Sequence, residues 1–193
     1  MAKQILFIST NRLKRDTAMG GSVEDDLLRP HILMAQTKYI LPVLGTDLHD
    51  KLGSLIEAGT VNDAGNEVYA TLLDKYVMPS LVQYSFAVAI PFIRVRIANN
   101  HVTVMQSEQG TSATIQDVRQ LTNASMDIAN FHRERLIDYL LHNQSSYPEY
   151  TSNSGADLQP RTRNYTQGLN LDPTYVDLDR EMFYTTIGAK DAC

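Results

Sequence analysis

The chain has 193 residues, 43% of them apolar and 20% charged, with a formal net charge of −5. That length holds one well-buried domain plus an appendage, and the negative balance argues against a protein that reads nucleic acid through clustered Lys and Arg. The single cysteine, Cys193, leaves no internal disulfide to form, and the apolar run Ile5-Leu6-Phe7-Ile8 is too brief for a signal h-region or a membrane span.

Gln4 to Thr10 reads as a β-strand or extended arm, so that residues 1–21 form an N-terminal arm closing in a polar loop, Asn11 to Gly21. Ser22 is a candidate N-cap, with Glu24, Asp25 and Asp26 in the first turn where the helix dipole favours acids. The helix runs to about Leu44, is distorted near its end by Pro42, and stops at Gly45. Leu28, Ile32, Ala35 and Tyr39 make one stripe at helical spacing, and Leu27, Met34 and Leu41 make a second, turned away from it. A helix with two apolar faces is buried on both, inside its own core or with one face against another subunit.

Thr46 is placed to cap a short helix over Asp47 to Glu57, closed by Gly59. A third helix, Glu67 to about Ile90, should kink at Pro79. It repeats the two-sided pattern, with Val68, Leu72, Val82, Phe86 and Ile90 on one side and Leu73, Val77, Tyr84 and Val88 on the other. Val77 to Ile93 carries few charges but contains two prolines and several polar residues, and reads as a buried helix rather than a membrane span. The candidate subunit–subunit residues are therefore Leu27, Met34, Leu41, Leu73, Val77 and Tyr84.

Alternation over residues 92–105 predicts a β-hairpin turning at Asn99-Asn100, with Val95 opposite Val104 and Ile97 opposite Val102. Arg94 and Arg96 share its polar face, placed to form ion pairs with a neighbour or to approach phosphates. From Ser112 to Asn143 the pattern predicts a helix packed on one side only, through Val118, Leu121, Ser125, Ala129, Leu136 and Leu140. The expected fold class is mainly α: about four helices in a bundle spanning residues 22–150, one inserted hairpin, and an extended C-terminal arm over residues 151–193. That arm is linker-like from Thr151 to Thr166. Beyond it, Tyr165, Leu169, Leu171, Tyr175, Met182, Phe183 and Tyr184 are spaced as anchors for a partner.

The residues that carry chemistry assemble into no site. The five histidines lack metal-ligand spacing, and His132 falls at the edge of the long helix's apolar stripe. Gly20-Gly21-Ser22 lacks the Lys-Ser/Thr ending of a phosphate loop and is followed by three acids. The acids Asp172, Asp177, Asp179 and Glu181 lack the glycine and spacing of a calcium loop. The sequence nominates no catalytic residue, no metal and no cofactor.

One resemblance remains. Asp26, Arg29-Pro30, Ile32, Ala35-Gln36, Ile40, Pro42 and Leu44-Gly45-Thr46-x-Leu48, then the helix with Pro79, the hairpin, Ser107-Glu108, and Ala129 through Tyr139-Leu140 and Asn143 to Tyr147-Pro148-Glu149-Tyr150, follow a pattern. Over residues 16–150 it resembles the head-to-tail connector (adaptor) proteins of tailed bacteriophages, especially those of crAss-like and related phages of Bacteroidota. The resemblance implies a non-enzymatic virion subunit at the head–tail interface, assembled in the host cytoplasm as a homo-oligomeric ring of about twelve copies. Its implied partners are the portal protein, neighbouring copies of itself, the next tail or ring protein, and genomic DNA passing through the lumen unread, with no membrane. The alternatives are another tail-completion or stopper protein, and a small helical ligand-binding domain or enzyme.

Overall fold

A computed structural model describes residues 5–20, 23–98, 101–104, 114–152, 154 and 157–161. The chain divides into two units, residues 1–162 and 163–193, and only the first contains described residues. The fold is mainly α, several helices packing round one core, as the apolar periodicities predict.

The first difference lies at the N-terminus. Residues 5–9 form no strand, and Thr10–Arg15 is a helix, α1, not the start of a loop. Ser9 caps it by accepting the Arg12 amide, and Leu13 buries its inner side. Phe7 and Ile8 are buried as well, so this segment belongs to the core. Helix α2 (Asp25–Ala35) has Glu24 at its N-cap and Asp25 and Asp26 in its first turn, while Ser22 lies outside the described residues.

Pro42 and Pro79 act through the same device. Helix α2 passes into a π turn (Gln36–Ile40) before α3 (Leu41–Leu44), and α5 (Glu67–Leu72) passes into a second (Leu73–Val77) before α6 (Met78–Arg94). In each, the amide just before the proline bonds five residues back, Leu41 to Gln36 and Met78 to Leu73. A helical proline ring collides with the carbonyl four residues earlier, here Lys38 or Lys75. The widened turn gives that carbonyl room, so the chain continues as helix.

Gly45 ends α3 at φ +75°, and Gly59 ends α4 (Thr46–Ala58) in the left-handed region, both as the sequence predicts. Thr46, expected to cap α4, instead accepts the Leu158 amide through Oγ1 at 2.9 Å. Helix α6 runs to Arg94, four residues beyond the predicted end, and Phe92 stacks on His31 of α2 at 4.9 Å. Strand β1 (Val95–Ala98) accordingly starts later than residue 92, and pairs antiparallel with β2 (His101–Val104), Val95 opposite Val104 and Ile97 opposite Val102.

Helix α7 (Ile115–His142) opens on a capping box between Thr114 and Asp117 and packs along α6. The continuous run from Glu67 to Ile93 is long and apolar enough in composition to cross a membrane. Its apolarity is that of a core element: Leu72, Leu73 and Val77 are buried, as are Leu81 and Tyr84 on α6, which packs against both α2 and α7.

Tyrosines close the bundle's other end. Tyr147 is fully buried ahead of α8 (Pro148–Ser152); its hydroxyl lies 3.0 Å from the Val68 carbonyl, to which it donates, and 3.0 Å from the Tyr139 hydroxyl. Tyr76 stacks on Tyr139 at 4.0 Å, and Tyr69 donates to Glu149 at 2.8 Å. The polar segment after α8, expected to be linker, is tied down as far as Arg161. Ser152 and Ser154 bond the Asp47 carboxylate, Leu158 exchanges hydrogen bonds with Thr46, and the Arg161 amide donates to the Pro42 carbonyl at 2.8 Å.

Candidate functional site

On α2, Leu27 and Met34 stand two turns apart and are 52% and 48% exposed, in a chain whose other α2 stripe is sealed. His31 lies between them, one side of its ring covered by Phe92, itself exposed beyond that contact. Burial lowers the His31 pKa from its ordinary value, which keeps the ring neutral and apolar in character. Lys38 extends the same face, and Leu41 is half-buried at its end beside Pro42. The predicted second stripe of this helix is thus left open by the chain's own fold.

The second face of the third helix is not. Leu73, Val77 and Tyr84 were expected to meet a neighbouring subunit, yet all three are buried within the chain. Helix α7 covers that face. Tyr84 lies flat against Tyr39 with centroids 4.1 Å apart and donates to Asn130 Oδ1 at 2.7 Å. Burial pushes its phenol up to about 12. Two-sided periodicity identified a central helix correctly, but it carried no information on whether the second cover came from the same chain.

Sequence reasoning missed the open face of α7. Leu121, assigned to its buried side, is exposed. It shares a row with Ala124, with Ile128 at 48% and with Phe131 at 58% exposure. Spacings of three, four and three residues put these four on one side of the helix. The signal was present in Leu121 and Ile128, seven residues apart like Leu27 and Met34. It was masked because the stronger row through Ser125, Ala129, Leu136 and Leu140 already supplied a buried face.

A groove of about 400 Å³ lies between residues 5–7, the first π turn and α4. Gln36 is buried at its floor; its Oε1 accepts the Phe7 amide at 2.9 Å and its Nε2 donates to the Ile5 carbonyl at 3.0 Å. That amide pairs with the N-terminal segment as a neighbouring strand would. Gln36 Nε2 also lies 3.2 Å from His49 Nε2, which must then accept, leaving the Nδ1 proton towards Asp50 at 3.4 Å. Burial lowers the His49 pKa and outweighs the opposing Asp50 carboxylate. The groove's best-placed polar groups are spent on each other and on the backbone they hold. No three His, Cys, Asp or Glu side chains gather for a metal among the described residues.

Arg94 ends α6 instead of sharing a strand with Arg96, which sits in β1. The anchors Tyr165, Leu169, Leu171, Tyr175, Met182, Phe183 and Tyr184 lie outside the described residues. Over residues 40–159 the chain matches a family described as a family of unknown function, DUF6712. No curated protein and no solved structure matches it.

Proposed function

The chain belongs to the DUF6712 family, whose function is unknown, and we propose that it is a structural subunit of a tailed-bacteriophage head-to-tail connector. In this reading copies of the chain form a ring under the portal protein, extend the DNA channel, and offer a surface to the next tail component. The observation that carries it is the pair of exposed apolar rows on α2 and α7, each at helical spacing beside the buried core. A soluble monomer gains nothing from exposed Leu, Met, Ile and Phe in register, whereas a ring subunit needs two different faces to meet its two neighbours. The motif residues shared with phage adaptors support the same reading. So does the net charge of −5, which repeated around a channel lets a polyanion slide.

The test is co-purification of the full chain with the portal protein of the same phage, followed by the mass of the complex. About a dozen chains per portal are expected. Removal of residues 162–193, the segment that follows the Arg161–Pro42 hydrogen bond, should abolish binding. Failure of the full chain to bind would move the assignment to another tail component.

A further inference from the structure

We propose that the α7 row Leu121, Ala124, Ile128 and Phe131 is the second half of the subunit contact, and that it packs on the α2 row Leu27 and Met34 of another copy of this chain. This rests on the assembly reading above and names the faces that carry it. The two rows lie on different helices, each packed on α6 by its other side, so one copy can offer α2 to one neighbour and α7 to the other. Contact between unlike faces propagates from copy to copy and closes into a ring when the rotation allows.

The rows also match in pitch. Each is built on a seven-residue step, Leu27 to Met34 and Leu121 to Ile128, the spacing at which two helices interdigitate at a shallow crossing angle. Ala124 is the small residue between larger ones that lets a knob from the facing helix enter. Opposite charges are available beside the two rows: Lys38 stands one turn past Met34 on the α2 face and is exposed, and Asp127 is exposed on the border of the α7 row, which Arg135 continues beyond Phe131.

The experiment uses full-length chains carrying one blocked face each, Leu27→Glu with Met34→Glu or Ile128→Glu with Phe131→Glu. Circular dichroism checks that both fold, since the replaced side chains stand in solvent. Sedimentation velocity then reads assembly, alone at raised concentration and with the portal protein. The wild-type chain should assemble and each variant should remain single. Their equimolar mixture at raised concentration should associate weakly, and no further than a complex of two chains, because one intact α2 face meets one intact α7 face. Zero-length carbodiimide cross-linking of mixed heavy- and light-isotope wild-type chains should join Lys38 of one copy to Asp127 of another.

Three results would overturn the proposal. Variants that assemble like the wild type would show these faces unused and leave the connector reading standing. A mixture that stays single while the wild type assembles would assign the rows to a different occupant, residues 162–193 or the portal itself. A wild-type chain that assembles neither alone nor with the portal would remove both proposals together.

Discussion

Gly45 is where backbone and packing constraints coincide. Its φ of +75° and ψ of 164° fall in a region essentially closed to other residues, and an added Cβ would stand 2.7 Å from Pro160 Cδ. Gly45→Ala should therefore cost about 3 kcal/mol or more, against about 1 kcal/mol for Gly59→Ala, whose left-handed position opens on empty space. Paired thermal melts check the ranking. Both glycines were legible as helix stops, but the contact with Pro160 was not, because nothing local to either residue encodes it. Gln36 was equally silent: its neighbours read as plain helix, and its role appears only once Ile5 and Phe7 are brought beside it. Gln36→Leu strands the Phe7 amide and Ile5 carbonyl and should lower stability by about 2–3 kcal/mol, with faster hydrogen exchange at Phe7. The tyrosines predict the pH response. Burial raises the folded-state pKa of Tyr69 and Tyr84 to about 12, and raises those of Tyr147 and Tyr150 above the ordinary value of 10. The folded state thus holds these protons more tightly than the unfolded chain. Their contribution is intact below pH of about 10 and is lost as pH rises towards about 12. The share of the tyrosinate absorbance that belongs to these four should rise late and together with unfolding; early, independent ionisation of all ten tyrosines would contradict the packing described.

At the scale of elements, α7 separates the covered from the uncovered. Leu136→Ala opens a cavity against α6 and should cost about 2–5 kcal/mol, whereas Leu121→Ala, on the open row, should change stability by no more than about 0.5 kcal/mol. Urea denaturation of the two variants distinguishes them. On a helical wheel Leu121 sits roughly 80° from Ala129, at the margin where periodicity alone cannot say which side the neighbouring helix ends on. The π turns were hidden for a related reason. A proline in an apolar helical pattern predicts a break or kink, and both prolines were located correctly. Whether the chain breaks, kinks or widens its turn depends on what the flanking side chains pack against, and here Tyr39 and Tyr76, one in each turn, gain stacked partners in Tyr84 and Tyr139. The mainly α class was legible because long amphipathic spacing survives such local changes. The N-terminal helix was not, because six residues carry too few periods to show one.

For the whole molecule, the uncovered rows set the scale of any assembly. Leu27, Met34, Ile128 and Phe131 are each about half exposed, so covering all four contributes roughly 3–6 kcal/mol. The loss of translational and rotational freedom on association is of similar size, about 4–15 kcal/mol. One contact alone is therefore weak, and a closed ring, in which each copy makes two contacts and the last closure is intramolecular, is the state such faces favour. Few larger species are expected at low concentration, with cooperative assembly once a template gathers the copies. The measurement that tests this most directly is the mass of the full-length chain alone and mixed with its portal protein, read in one experiment at matched concentration. Weak association alone and a defined complex with about a dozen chains on the portal is the expected result. A chain that stays a single copy in both samples would contradict it.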